Sequence, residues 1–489
     1  MNPSRWPLPS RPPGAPAALL LAMAMLAAGC AAPPRRESPD TLKPPLATAY
    51  RQAVASGSPD EAALAAWWQG IGDPVLGALV DEALRANLDL RGAQATLARA
   101  RALRDVAAAG RSVQVGSSAS AGRNRNARNN SNSLSVGLDA SWEPDAFGRI
   151  GAGIAAAEAQ TEASALQLAA TRIAVAGEVG LAYFQWHGTR QQLQVARQNL
   201  ALQAESLQVA EWRAGARLAT PLDVEQARAA TEQTRARIPA LQNTLAQTEH
   251  RLALLLGQPP AALGDRLARA TTAPALPPLP AAGLPADLLR RRPDVRAAEA
   301  QASAELATLA QRQAERLPSF SISGRLGLQA LTLAALGQPA ALVAGITAGV
   351  NWPLLDGGAA RAQVEAQRAA LDSARIAYQA SVLTAQQDVE NTLVALGTGR
   401  QQVASLERAA AAAAEALSLA RLRYQTGLTD FTPLLDAQRS ALSAQDALAT
   451  ARTDLALNQV RLYKALGGGW DATVPTATAA SNVAAGPRP

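Results

Sequence analysis

The stretch Arg421–Trp470, RLRYQTGLTDFTPLLDAQRSALSAQDALATARTDLALNQVRLYKALGGGW, has an earlier partner in the same chain. That partner is Ala196–Gln258, ARQNLALQAESLQVAEWRAGARLATPLDVEQARAATEQTRARIPALQNTLAQTEHRLALLLGQ. Matching residue types puts Gly215 on Gly427 and Thr220-Pro221 on Thr432-Pro433, and Leu256-Gly257 meets Leu466-Gly467 after a small slip. Self-similarity at a spacing of about 210 residues marks a duplicated unit. Each copy reads as a helical hairpin: a helical pattern runs to the glycine, a short turn follows, and Thr-Pro restarts a helix. A threonine hydroxyl accepts a bond from a first-turn N–H, and proline at the first helical position gives up an N–H that has no partner. Asp223 falls in the first turn, where the helix dipole favours an anion.

Working outward, the helix after the second turn carries apolar residues every seven positions: Leu434, Ala441, Leu448, Leu455 and Leu462. The helix before the first turn does the same with Trp186, Leu193, Leu200 and Leu207. A seven-residue period predicts left-handed supercoiling against neighbouring helices. Pro239 stands inside the helix after the first turn and predicts a local bend.

Composition narrows the functional classes. Of 489 residues, aromatics make up 3% and charged residues 17%, and alanine dominates, which favours close-packed helices over a bulky core. The net charge of +7 comes from interspersed acids and bases, without the dense basic patch of a nucleic-acid surface. After the first 30 residues there is no apolar run of twenty, so ordinary transmembrane helices are not expected. Cys30 is the only cysteine, which excludes disulfides and thiolate metal sites. The two histidines, His187 and His250, are far apart in sequence, and no catalytic motif is present; neither an enzyme nor a bound cofactor or metal is expected.

The chain opens with Arg5 and Arg11 before an apolar run at Ala15–Ala28, the make-up of an export signal. The run ends in Leu26-Ala27-Ala28-Gly29-Cys30, similar to the lipoprotein box of bacterial export, which marks Cys30 as a lipidation site; Ala31 is the type of residue that follows it in outer-membrane lipoproteins. Acyl chains anchor a protein by burying about 0.8 kcal/mol per CH₂, with no spanning helix.

Four strand-like segments sit between the helices. Ser133–Trp142 alternates Leu134, Val136, Leu138, Ala140 and Trp142 against Ser133, Ser135, Gly137, Asp139 and Ser141. Arg111–Gly122 is a weaker version, and Arg123–Asn132, RNRNARNNSN, reads as a polar loop between the two, whose Arg123, Arg125 and Arg128 are either merely solvated, the reading favoured, or in contact with lipopolysaccharide phosphates. In the second half, Ser319–Gln329 and Leu342–Trp352 alternate in the same manner, and WPLLDGG at Trp352–Gly358 answers WEPDAFG at Trp142–Gly148. Segments of about ten alternating residues fit membrane β-strands, with lipid on one face and water on the other. Hydrocarbon tolerates no open sheet edge, so four strands per chain must join those of other copies. Eight strands from a dimer, twelve from a trimer and sixteen from a tetramer all satisfy that demand.

The divisions are a lipoprotein signal peptide at 1–29, a lipidated strap at 30–66 and a first repeat at 67–272. A Pro-rich linker at 273–285, a second repeat at 286–470 and a disordered tail at 471–489 follow. Each repeat is expected to hold a helix, two strands and a long helical hairpin.

YQTGLTDFTPLLDAQRSAL, NQVRLYKALGGGW, LLRRRPDVRAAEAQ, the FGR after WEPD and Cys30 together resemble the TolC-like outer-membrane factor family, and within it the OprM-like lipoproteins of tripartite efflux systems. The resemblance spans Trp67–Trp470. It implies a mainly α chain with a transmembrane β part: a homotrimer with a twelve-stranded β-barrel and an α-barrel of duplicated coiled hairpins. It implies a periplasmic adaptor protein and an inner-membrane resistance–nodulation–division pump as partners, with outer-membrane lipid around the barrel. The function implied is the exit duct of a multidrug efflux pump; channels of the same architecture for metal-ion efflux or protein secretion are the alternatives. By the same resemblance, Asp436 and Arg439 belong to a periplasmic gate, and Thr432 stands where relatives carry a large apolar residue. Gly215, Thr220, Pro221, Gly427 and Pro433 would mark the adaptor-docking tips.

Overall fold

The structure, a computed structural model, describes residues 50–51, 61–126, 129–270, 272–278 and 291–470. Cys30, the signal peptide, most of the strap, Arg128 and the C-terminal tail lie outside the described residues.

A short helix, Glu61–Ala65, ends the stretch read as strap; the first repeat begins with the short helix Trp67–Gly70, before α1 (Pro74–Ala86) and α2 (Leu88–Ala109). Asp73 caps α1 by accepting from Val75 N at 2.8 Å and Leu76 N at 3.2 Å. Strands β1 (Gln114–Asn126) and β2 (Asn129–Trp142) follow, then the hairpin of α3 (Arg149–Gly215) and α4 (Pro221–Leu255). The second repeat runs α5 (Pro293–Ala314), β3 (Ser319–Ala330), β4 (Leu342–Asn351), α6 (Ala359–Gln425) and α7 (Phe431–Ala465). Helices α3 and α6 are both 67 residues long, on the order of 100 Å at 1.5 Å per residue; α4 and α7 are both 35. Equivalent positions lie a constant 210 apart, from Arg149 and Ala359 through Pro221 and Phe431 to Gly257 and Gly467.

That constancy corrects the alignment made on residue type. Gly427 corresponds to Arg217 and not to Gly215; Thr220-Pro221 corresponds to Asp430-Phe431 and not to Thr432-Pro433. No slip is needed to reach Leu256-Gly257 and Leu466-Gly467. The polar run Arg123–Asn132 also differs from its reading as a loop. Its described residues extend the β1–β2 ladder, with Arg123 paired to Asn132 and Arg125 to Asn130. Beyond an apolar belt both faces of a strand are wetted, so polar residues continue the ladder at no desolvation cost.

The chain forms two compact units that cut across the repeats. One comprises Arg111–Gly153 with Leu306–Arg368; the other comprises the described parts of Pro44–Gly110, Ile154–Glu305 and Ala369–Pro489. The first holds an antiparallel sheet of order β1-β2-β3-β4. Strands β1 and β4 each have one edge without a partner among the described residues. One face is apolar and exposed: Val115, Val136, Leu138, Ile322, Leu326, Leu328, Ile346 and Val350 stand in solvent. The opposite face is polar. Ser118 donates to Asp139, Ser120 meets Ser135 at 2.8 Å, and Arg325 lies 3.7 Å from Asp139. Gly137 faces Gly327 across the ladder there, and a Cβ on Gly327 would meet Val136 O at 2.5 Å, so the two strands approach more closely than a side chain allows. At the end where the helices enter and leave, the apolar face finishes in Trp142, Phe320, Trp352 and Phe147, with Phe147 stacked on Phe320 at 6.2 Å. Aromatic residues favour such a boundary between apolar and wet surroundings.

Asp145 and Asp356 start the two long helices. Asp145 accepts from Ile150 N (2.9 Å) and Gly151 N (2.6 Å), and Asp356 accepts from Gly358 N (2.9 Å) and Ala360 N (2.7 Å). The donors from Ala360 and Gly358 hold the Asp356 carboxyl below its ordinary value.

In the helical unit the heptad positions face inward: Leu193, Leu434, Ala441 and Leu462 are buried, and Leu200, Leu207, Leu448 and Leu455 are half-buried. Helix α3 is long and apolar enough to cross a membrane by length and composition alone, which the count of apolar runs missed. Of its most apolar window 56% is buried inside the chain, as in a core helix. Helix α4 continues through Pro239 without a break.

The family-motif residues RRPD and GGGW meet in this unit. Arg292 forks to Asp294 (2.7 Å) and to Asp388 on α6 (2.9 Å), while Trp470 Nε1 donates to Arg291 O at 2.8 Å. In the first repeat Asn87 caps α2 and donates Nδ2 to Leu255 O at 2.8 Å. Gly257 (φ 69°) and Gly467 (φ 78°) close these two joints; an added Cβ would stand 2.8 Å from Ala86 O and 3.0 Å from Arg291 O respectively.

Candidate functional site

The two interhelical turns are built alike. Leu218 N donates to Arg213 O at 2.7 Å and Leu428 N to Arg423 O at 2.8 Å, closing the end of α3 and of α6. This closure needs one residue in the left-handed region, which is usually glycine. Gly427 takes it at φ 77°; Arg217 takes it at φ 60° in the other copy and is the one non-glycine residue with positive φ among the described residues.

The restarts differ. Thr220 and Asp223 form a reciprocal cap, with Thr220 N to Asp223 Oδ2 at 2.9 Å and Asp223 N to Thr220 Oγ1 at 3.3 Å, and Pro221 follows at the first helical position. In the second copy Asp430 occupies the cap position with no side-chain bond, so Thr432 is not the cap the sequence predicted. Phe431 replaces proline, is 2% exposed, and packs edge-on against Tyr424 at 5.6 Å. Burial of that ring with Leu434, Leu435, Ala210, Ala227 and Ala230 fixes the start of α7 in place of a polar cap. The same cluster brings the two turns together. Arg213 Nη1 donates to Tyr424 O at 2.5 Å, and its guanidinium lies 4.7 Å from the Tyr424 ring. Burial raises the Tyr424 phenol pKa.

Thr432, Asp436 and Arg439 share one exposed face of α7, opposite the buried face formed by Leu434, Leu435, Gln438, Ala441 and Leu442. Among the described residues neither Asp436 nor Arg439 has a hydrogen-bond or ion-pair partner in its own chain. Gly215, Thr220, Pro221, Gly427 and Pro433 are exposed or half-exposed, and none carries a contact between the turns comparable to that of Arg213.

Reading the sequence missed a polar seam between α3 and α7. Gln192 bonds Thr450 at 2.9 Å, Asn199 bonds Gln445 at 2.9 Å, and Ser206 accepts from Gln438 at 2.7 Å. Arg213, which reaches Tyr424 O, continues the series, so four polar residues recur every seven positions on α3. They stand one place before Leu193, Leu200 and Leu207, and that offset heptad was available in the sequence. Salt bridges join α4 to α7, from Arg237 to Asp446, and α6 to α3, from Arg421 to Glu205. His187 sits buried between the Tyr183 and Trp186 rings, at 4.7 and 4.9 Å, and burial lowers its pKa to about 4. No group of acids, histidines or cysteines able to hold a metal ion occurs among the described residues.

Comparison with known proteins finds relatives over most of the chain. OprJ of Pseudomonas aeruginosa, an outer membrane protein, is 32% identical over 93% of this chain and 95% of its own length. The solvent efflux pump outer membrane protein SrpC of Pseudomonas putida is 32% identical over 81% of this chain and 86% of its own. The solved outer-membrane channel OprN superposes with a TM-score of 0.81 at 36% identity, covering 88% of this chain and 98% of that one. The outer membrane efflux protein family matches residues 79–258 and 284–468, one match per repeat, and the chain belongs to that family.

Proposed function

We propose that this outer membrane efflux protein is the exit duct of a tripartite multidrug efflux pump, working as a homotrimer. The observation that carries the reading is the four-stranded sheet: its apolar face is exposed and both of its edges are open. Three copies supply twelve strands, and joining them removes every unpaired edge that hydrocarbon would penalise. The lipid-facing and water-facing rows then fall on opposite sides, with Asp139, Arg325 and the serines lining the lumen. Lipid attached at Cys30 adds an anchor in the outer membrane.

The long hairpins form the periplasmic conduit in this reading. A periplasmic adaptor docks around the turns at 215–221 and 425–433, and the adaptor links the duct to an inner-membrane resistance–nodulation–division pump. Asp436, with Arg439 and Thr432 on the same exposed face, lines the periplasmic constriction. Three carboxylates at one level repel one another, so the constriction favours cations. Differential contacts with the adaptor shift the tips towards an open state.

Single-channel recording in planar bilayers tests the duct and the gate together. Wild-type protein is expected to conduct with cation preference, and Asp436→Ala to raise conductance and weaken that preference. Unchanged conductance and selectivity would remove Asp436 from the constriction, and absence of any conductance with the adaptor present would overturn the duct. Deletion of the gene, followed by profiling of drug sensitivity, identifies the cargo.

A further inference from the structure

The exposed apolar face of the sheet ends differently at its two borders. At the border near the helices it finishes in Trp142, Phe320 and Trp352. At the hairpin border it finishes in arginine. Val115, Ser117, Ala119 and Ala121 lie on one face of β1 by strand alternation, and the next two residues on that face are Arg123 and Arg125. Both are exposed. From Trp142 to Leu134 the belt covers eight steps along β2, about 26 Å along the strand at 3.3 Å per residue and about 20 Å along the normal at the usual barrel tilt; Asn132, which pairs with Arg123, lies two steps further, at about 25 Å, the height of the apolar band of an outer-membrane barrel. The arginines therefore stand at headgroup level and point to the lipid side, at the border away from the periplasm.

Beside Arg123 lies a shallow groove of about 490 Å³, lined by Ala121, Arg123, Asn132, Leu134, Leu331 and Leu333 among others. Leu331 and Leu333 are 66% and 77% exposed, which gives the cationic rim an apolar lip.

We propose that Arg123 and Arg125, with the Leu331–Leu333 lip, form a docking surface for an outer-leaflet glycolipid that carries both phosphates and acyl chains, of the lipid A type. Guanidinium groups bind phosphate through paired hydrogen bonds, and the apolar groove receives the first methylenes of an acyl chain. The inference rests on the sheet being embedded in the outer membrane, as argued above.

Native mass spectrometry of the detergent-purified full chain tests it, with three probes: bisphosphorylated lipid A, the same glycolipid stripped of phosphate, and phosphatidylglycerol. Wild-type protein is expected to retain lipid A at least tenfold better than either of the others. Arg123→Ser with Arg125→Ser should abolish the preference, Arg123→Lys with Arg125→Lys should keep only part of it, and Arg400→Ser, on an exposed helix surface, should not alter it. Equal retention of lipid A by the serine pair, equal binding of the stripped glycolipid, or equal binding of phosphatidylglycerol would each overturn the inference. Conductance on the same preparations separates the two claims. A wild-type protein that does not conduct even with the adaptor present counts against the duct, and one that conducts without the lipid preference counts against this surface alone. Should the serine pair fail to conduct, the single serine variants replace it, each expected to lose preference at least threefold; no loss in either overturns the inference.

Discussion

Gln438 donates to Ser206 at 2.7 Å in the buried seam between α3 and α7, two residues along the helix from Asp436 on the opposite, exposed face. Side chains that fix the seam thus also fix where the exposed face of α7 points. Leaving one buried partner without the other costs about 1–3 kcal/mol, whereas replacing both with apolar groups is nearly neutral. Ser206 also donates to Leu202 O, so it is Ser206→Ala that leaves the buried Gln438 amide without its partner; that variant alone is expected to lower thermal stability, and Ser206→Ala with Gln438→Leu to recover most of it. A double-mutant cycle by thermal melting in detergent checks this; additive losses would show that the bond contributes nothing of its own.

Arg217 and Gly427 hold the same left-handed turn position in the two copies. For a side chain other than glycine that conformation costs roughly 1–2 kcal/mol. Arg217→Gly should raise stability by a few tenths to 1 kcal/mol, after the entropy glycine adds to the unfolded chain. Gly427→Arg should lower it by about 1 kcal/mol. Circular-dichroism melts of the two variants are expected to move in opposite directions.

Gly467 is more constrained, because its φ of 78° is combined with an added Cβ 3.0 Å from Arg291 O. Gly467→Ala should destabilise by at least the left-handed penalty of about 1 kcal/mol, with an increment from loosening of the Trp470–Arg291 bond. Tryptophan fluorescence during denaturant unfolding would follow both effects.

His187 links stability to pH. Its ordinary value of 6.5 applies in the unfolded chain, and burial lowers it to about 4 in the fold. Between those values the unfolded chain binds more protons, so stability falls as pH drops from about 6.5 towards 4 and is unaffected above that window. The displacement caps the loss at about 3 kcal/mol. Melting temperature should drop less between pH 7 and 4.5 in His187→Phe, which keeps an aromatic ring between Tyr183 and Trp186.

Period and alternation made most of the architecture legible. Leu434, Ala441 and Leu462 announced the supercoiled seam, and Leu134 to Trp142 announced a two-faced strand, because one apolar environment imposes one spacing. The turns were misaligned because Gly215 looks like Gly427 and Thr432-Pro433 looks like Thr220-Pro221. Backbone hydrogen bonds count positions and not residue types, and a left-handed arginine leaves no compositional trace. The run RNRNARNNSN reads as a loop because polarity normally marks one, yet a ladder outside the apolar belt needs no apolar residue. The exposed face that carries Asp436 came from family resemblance, and the polar seam behind it lay hidden one place from the leucines that drew attention.

The unpaired outer edges of β1 and β4 reach beyond a single subunit. A copy that leaves the ribosome alone has two adhesive rims, either of which can seize any extended peptide it meets, so custody by holding factors is needed until its sisters arrive. Any finished ring holds a strand number divisible by four. One misfolded copy would then leave a breach that its sound companions have no means of sealing.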